Sequence, residues 1–305
     1  MSRAATLFTD RVFGNAVIML VLTTLFWGGN TIAGQLAVGR VSPMVVVFLR
    51  WAIVSVILTV TMLPRVRQEW PIMRPHFGKL CLMALFGFTG FNMLFYMAAH
   101  YTTAVNLGIL QGSMPIFVLI GSVLLLGARV RLLQVVGIVA TLAGVALVAA
   151  QGSLETLLNL SINPGDGLML IASFFYAGYT ITLRNRPQVS GLVFFAVLSV
   201  IAAFISIPGL IYEMANGTAL WPTPSGWLVT LYIALFPSCL AQIFFIRGVE
   251  LVGPARAGVF LNLVPIFAAA LGILILGEPF RWHHGLALVL VLGGIWLSER
   301  KRKSS

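Results

Sequence analysis

The sequence predicts an all-α polytopic membrane protein: ten transmembrane helices in two five-helix repeats of inverted topology, with both termini cytoplasmic. Three observations predict it. The composition is too apolar for a soluble chain, a ten-span reading puts nearly all basic connections on one side, and the chain overlays itself at a shift of 150 residues.

Of the 305 residues, 59% are hydrophobic and 9% are charged, against about 25% charged in soluble domains. A soluble core cannot hide that much apolar surface, so lipid is the expected surrounding. The net charge of +11 does not point to nucleic acid, because the basic residues form short clusters between apolar runs, as cytoplasmic loops do. Cys81 and Cys239 lie inside apolar runs and read as small buried hydrophobes rather than a disulfide. Arg3 and Arg11 ahead of the apolar stretch Ala16 to Trp27 resemble a signal peptide. With no soluble domain behind it, that stretch reads as the first span.

A helix crosses the apolar bilayer in roughly 20 residues. Suitable runs lie near 15–38, 44–63, 78–99, 104–126 and 132–150, then near 166–183, 190–212, 226–246, 256–276 and 282–298. Turn chemistry at Ser42–Pro43, Asn163–Pro164–Gly165, Pro222–Thr223–Pro224 and Gly253–Pro254 supports the breaks. With both termini inside, the cytoplasmic segments hold Arg3, Arg11, Arg65, Arg67, Arg74, Lys79, Arg129, Arg131, Arg184, Arg186, Arg247, Arg256 and the tail from Arg300 to Lys303. The opposite side holds Arg40 and Arg281. One span more or fewer would invert every later loop, so this asymmetry argues for ten.

At the 150-residue shift, Ala84–Leu85–Phe86 meets Ala234–Leu235–Phe236, and Pro115–Ile116–Phe117 meets Pro265–Ile266–Phe267. Gly127 meets Gly277, Arg131 meets Arg281 and Gly144 meets Gly294, all without a gap. The halves are therefore read as 1–150 and 151–305, the second carrying the basic tail. Five spans per repeat is an odd number, so the second repeat enters the membrane upside down. Such a pair has two nearly equal packings, one open to each side, which is the basis of alternating access.

Trp27–Gly28–Gly29–Asn30 in the first span, Pro43 and Arg50 in the second, Pro115 and Pro265 in the fourth and ninth, and Gly277–Glu278–Pro279 closing the ninth form an ordered set. In order and spacing it resembles the EamA-type branch of the drug/metabolite transporter superfamily, over nearly the whole chain. Within that branch the chain is also similar to the YddG-like exporters of aromatic and other amino acids. The resemblance implies a ten-span exporter of amino acids or related metabolites, in a bacterial inner membrane. The first repeat departs from the family pattern, with Gly127–Ala128 where Gly–Glu is usual, so the acid stands in the second repeat alone, at Glu278.

Ten residues are candidates for substrate contact. Arg50, a charge inside a span, reads either as a bidentate anchor for a substrate carboxylate or as a structural arginine. Asn92 and Tyr96, four apart, share a helix face, and the repeat pairs Asn92 with Gln242. These groups read either as ligands near mid-membrane or as interhelical glue. Trp27, Asn30, Tyr176 and Tyr179 occupy corresponding stretches of the first and sixth spans and are expected to wall a cavity. Gln111 and Asn262, with Ser113, lie beside Pro115 and Pro265, where a missing N–H bends the helix and exposes backbone carbonyls. Gly108 and Gly112 form a GxxxG pattern that reads as close helix contact.

His283, His284 and Glu278 cluster near one end, but adjacent histidines diverge on a helix, and no metal or cofactor is expected. No acidic residue falls in the middle of a span, so no energy source is assigned. The competing classes are a carrier of another substrate in the same superfamily (nucleotide-sugar or drug-like), an intramembrane enzyme and a scaffold. An enzyme lacks its paired acids or activated nucleophile here, and a scaffold has no use for symmetric polar groups. The expected partners are a small-molecule substrate and the lipid bilayer; a monomer is expected, with a dimer left open.

Overall fold

The computed structural model describes residues 15–126, 132–153, 155, 163–183, 185–252 and 260–299. Arg3, Arg11, Arg129, Arg131, Arg184, Arg256, the Arg300–Lys303 tail, Gly127–Ala128 and the Gly253–Pro254 turn lie outside them. Among the described residues all regular structure is helical. In chain order the α-helices are α1 (Ala16–Ala37), α2 (Pro43–Met73), α3 (Phe77–Ala84), α4 (Phe91–Ala98), α5 (Ala104–Gln111), α6 (Met114–Leu126) and α7 (Leu132–Ala149). They continue as α8 (Pro164–Leu183), α9 (Gly191–Ala215), α10 (Pro224–Ile233), α11 (Ala241–Val252), α12 (Val264–Leu276) and α13 (Trp282–Glu299). Each of the ten apolar runs is helical over most of its described length. Among the described residues six stretches are long and apolar enough to cross a membrane: Ala16–Ala37, Pro43–Ala98, Ala104–Leu125, Pro164–Leu183, Gly191–Ala215 and Pro224–Val252. Leu132–Val148, Leu263–Leu276 and Trp282–Leu297 are shorter apolar helices.

Helix ends follow local chemistry. The side chains of Asn15, Thr103, Asn163, Ser190 and Thr223 each accept a backbone N–H in the turn they open. Where a hydroxyl does not suffice, a distant carboxylate serves. Glu278 accepts the N–H groups of Ala104 at 2.8 Å and Val105 at 2.9 Å, capping α5 from the other half of the chain. Gly277, at φ +66°, makes this possible. It ends α12 in the left-handed conformation, and the N–H of Glu278 returns to the Gly272 carbonyl at 3.2 Å. The Gly–Glu–Pro motif thus acts as a helix stop followed by a helix cap. Glu213 does the same for α2, taking the N–H of Met44 at 3.1 Å and the hydroxyl of Ser42.

The second apolar run was expected to end near residue 63, yet α2 continues to Met73 through Pro64 and Pro71. Hydropathy stops at Leu63 but helix formation does not. Arg65, Arg67, Gln68 and Glu69 are good helix formers, and this stretch is mostly exposed.

The irregularities obey the repeat. A π-helical stretch, Leu85–Gly90, joins α3 to α4, and another, Ala234–Leu240, joins α10 to α11, 150 residues later. The helix breaks at Gly112–Ser113 ahead of Pro115, and tightens into a 3₁₀ turn at Leu261–Leu263 ahead of Pro265. In each case the proline has no N–H for the carbonyl four residues back, at Gln111 or Leu261.

Packing obeys the repeat as well. α1 packs on α12 and α11, and its counterpart α8 packs on α6 and α4. α2 packs on α9, α7 on α13 and α5 on α12, each pairing a run with its own counterpart. The pairing scheme maps onto itself when every run is exchanged with the one 150 residues away. At the α5–α12 crossing a Cβ on Gly108 would stand 2.2 Å from the Cβ of Ala268, so the GxxxG glycine is where two backbones meet.

Candidate functional site

Both π-helical stretches and both proline breaks converge on one cavity of about 490 Å³, the size range of small-molecule sites. Nine of the ten candidate residues line it: Trp27, Asn30, Arg50, Asn92, Gln111, Tyr176, Tyr179, Gln242 and Asn262. They come from both halves of the chain. Tyr96 differs from the expectation. It does not line the cavity but lies beneath Arg50, buried, because a phenol one turn beyond Asn92 meets the guanidinium before it reaches open space.

Arg50 is 4% exposed. Its Nε donates to Ser238 Oγ at 2.9 Å, and its Nη1 donates to Tyr96 Oη at 2.8 Å and to Asn92 Oδ1. Tyr96 Oη in turn donates a hydrogen bond to Asn30 Oδ1 at 2.8 Å. The guanidinium also lies 5.0 Å from the Trp51 ring centre and 5.6 Å from that of Tyr96. Every one of these partners is neutral. Among the described residues no carboxylate pairs with Arg50, and Nη2 makes no hydrogen bond.

Local backbone chemistry aims the partners. Pro237 cannot bond the Ile233 carbonyl, so the Ser238 hydroxyl donates to it instead and turns its lone pairs toward Arg50. Asn92 gives its amide N–H to the Phe88 carbonyl one turn back, which leaves Oδ1 facing Arg50. Trp27 is fixed from the other side, its Nε1 donating to the Pro237 carbonyl at 3.0 Å.

The rest of the wall combines aromatic rings with aliphatic side chains such as Met114, Val118 and Leu119. Phe88 packs on Trp51 and Tyr179 with ring centres 4.8 and 5.5 Å apart, and Tyr176 packs on Phe91 at 5.3 Å. A Cβ on Gly87 would stand 2.3 Å from the Tyr179 ring, so the glycine of the first π stretch is the floor on which that ring lies. Trp51 Nε1 and Gln111 Nε2 are buried donors without an acceptor among the described residues.

A family model settles what kind of protein holds this cavity. The model of the EamA-like transporter family matches residues 14–150 and again residues 163–300. The chain belongs to the EamA-like transporter family. Similar relatives are the uncharacterized transporter YyaM of Bacillus subtilis (strain 168), 24% identical over 92% of this chain and 92% of the relative, and the uncharacterized transporter YetK of the same strain, 26% identical over 94% and 88%. The uncharacterized inner membrane transporter YedA of Escherichia coli (strain K12) is 28% identical over 90% of this chain and 87% of its own length. A crystal structure of 19% sequence identity superposes with a TM-score of 0.63, covering 92% of this chain and 95% of that one, and shares the fold. This EamA-like chain is therefore a multi-pass membrane transporter, embedded in lipid and acting on a small molecule.

Sequence reasoning missed Ser238, Trp51 and the Phe88–Phe91 wall. The repeat pairs Ser238 with Phe88, so symmetry gave no signal for it. The available signal was the pair of helix breakers Gly87 and Pro237, which are 150 residues apart and mark the two π stretches.

Proposed function

We propose that this transporter exports neutral or zwitterionic solutes with an apolar group, aromatic amino acids being the type substrates, across a bacterial inner membrane. One observation carries the reading: a buried guanidinium with an unused Nη2 and no acidic partner among the described residues opens onto an aromatic cavity. An unpaired buried cation is costly, and a ligand carboxylate relieves that cost with a charge-assisted, planar match. The rings of Trp27, Phe88 and Tyr176 suit an aromatic side chain.

The proposal includes ten spans, inverted repeats 1–150 and 151–305, and cytoplasmic termini. In that orientation the cavity wall extends to Gln134, Thr180 and Ile295, near the cytoplasmic ends of their helices. The opposite ends are tied together by Glu213 on Ser42 and Met44, by Glu278 on α5 and by Gln35 on the Thr102 carbonyl. A cavity reaching inward and closed outward is the loading state of an exporter, and the self-mapping pairing scheme supplies the alternative packing. Topology reporters fused after Ser305 and within residues 151–163 should report opposite sides, the first cytoplasmic; a C-terminus outside would break the ten-span scheme.

Substrate class is tested by thermal unfolding of the purified protein in detergent. Phenylalanine and phenylpropionate should both raise the melting temperature, whereas phenethylamine, which lacks the carboxylate, should not. A ligand at about one hundred times its Kd stabilises by about 2.7 kcal/mol, which is readily measured. Stabilisation by the amine and not by the acids would contradict the assignment of Arg50.

A further inference from the structure

The hydrogen-bond inventory of the outer ends contains one pair of side chains that does not close. Asp166, in the first turn of α8, is fully buried. Thr102 Oγ1 donates to its Oδ1 at 2.5 Å, and Asn106 Nδ2 approaches the same oxygen at 3.5 Å. Among the described residues its Oδ2 has no partner, and neither does Asn106 Oδ1, also buried. Turning the Asn106 amide over does not repair this. The Thr102 hydroxyl has one proton and gives it to Asp166, so it must accept from Asn106 Nδ2, which lies 3.1 Å away. The amide is thereby fixed with its nitrogen toward Thr102 and Asp166 and its oxygen unpaired among the described residues.

Among the described residues no counter-charge pairs with Asp166. His100 and Tyr101 belong to the turn that packs on α8, Glu278 caps α5 beside Thr103, Glu155 precedes α8, and Arg40 and Arg281 belong to the outer connections. Among the described residues none of them forms an ion pair with Asp166. An ionised carboxylate here would be buried and uncompensated.

We propose that Asp166 is a proton-binding latch at the outward end of the transporter. The carboxyl takes up a proton at Oδ2 and becomes the missing donor, so α5 of one repeat seals against α8 of the other. Loss of that proton restores a buried carboxylate, which reaches water when the first turn of α8 parts from Thr102 and Asn106. The same two helices carry Gln111, Tyr176 and Tyr179 into the cavity, so the parting is the outward opening of the transport cycle. A bound external proton therefore favours the state that faces the cytoplasm. The inference rests on the transport orientation proposed above.

Two measurements test it. Infrared titration of the purified protein should show a titrating carboxylic-acid C=O band that Asp166→Asn lacks. Thr102→Val, which removes the hydrogen bond to Oδ1 and the acceptor of Asn106 Nδ2 but leaves the carboxyl in place, should keep the band and move it to higher wavenumber. In proteoliposomes, exchange of labelled phenylalanine should quicken several-fold as the outer pH rises, while Asp166→Asn, permanently neutral, should stay at the slow acidic rate at every pH. A carboxyl band unchanged by Asp166→Asn, or identical pH profiles for the two proteins, would overturn the latch. If the wild-type protein moved no phenylalanine, the substrate reading would have failed, and the infrared comparison would still decide whether Asp166 holds the proton.

Discussion

Replacing Arg50 by alanine should abolish flux of carboxylate-bearing substrates while leaving a protein that still inserts and folds. The side chain has two functions that separate experimentally. Structurally, it satisfies Asn92 Oδ1, Ser238 Oγ and Tyr96 Oη, all neutral groups that water in the enlarged cavity can satisfy instead. Functionally, it is a positive charge at the cavity with no acidic partner among the described residues. Truncating one member of a buried charge pair costs about 2–5 kcal/mol, and each 1.4 kcal/mol is about tenfold in affinity. The expected loss is therefore at least tenfold in apparent substrate affinity, with only a modest fall in melting temperature. Arg50→Lys should restore little, because an ammonium cannot serve Asn92, Tyr96, Ser238 and a carboxylate from one planar fork. Equal losses of flux and of folded protein would instead make Arg50 a structural residue.

The largest stability effect should come from Gly108→Val. A Cβ at this position lies 2.2 Å from the Ala268 Cβ and 3.6 Å from its Cα, so neither neighbour can rotate away and the α5–α12 crossing must widen. Overpacking costs typically about 1–3 kcal/mol, occasionally more. Because α5 and α12 belong to runs of opposite halves that the repeat pairs, the strain falls on the seam between the two halves. The melting temperature in detergent should fall clearly. Ala268→Gly should recover part of the loss in the double variant and should cost little by itself, a coupling that distant sites do not show. A Gly108→Val protein as stable as the wild type would mean that the two helices do not cross at this point.

Much of the architecture is legible in the residues because lipid removes alternatives. Backbone polar groups inside a bilayer must be satisfied locally, so an apolar run of sufficient length between turn signals has little choice but helix. The turn residues Asn163, Ser190 and Thr223 then announce the starts of α8, α9 and α10. The cavity residues were legible through symmetry. Asn92 with Gln242, and Gln111 beside Asn262, stand at positions where the repeat puts polar groups or helix breaks twice, and the structure gathers them at one space.

What was not legible depends on contacts between runs. Tyr96 shares its face with Asn92, but only the approach of α2 shows that Arg50 fills the space in front of it. Asp166 reads as a residue at the edge of a span, where carboxylates are usually hydrated. Its burial comes from the chain at Ala98–Thr102 closing over Gly165, whose absent side chain leaves room for the Ala98 carbonyl 2.7 Å from where a Cβ would be. The extension of α2 to Met73 escaped a reading based on hydropathy because helix propensity and hydrophobicity part company after Leu63.

The cavity's proposed cargo is an aromatic amino acid. The most direct test is exchange of labelled phenylalanine by the purified protein in liposomes, with protein-free liposomes and the Arg50→Ala protein as controls. Saturable exchange that excess unlabelled tryptophan suppresses, and that Arg50→Ala lacks, is the result expected. Label movement no faster than in protein-free liposomes, in a preparation that carries some other class of solute, would contradict it.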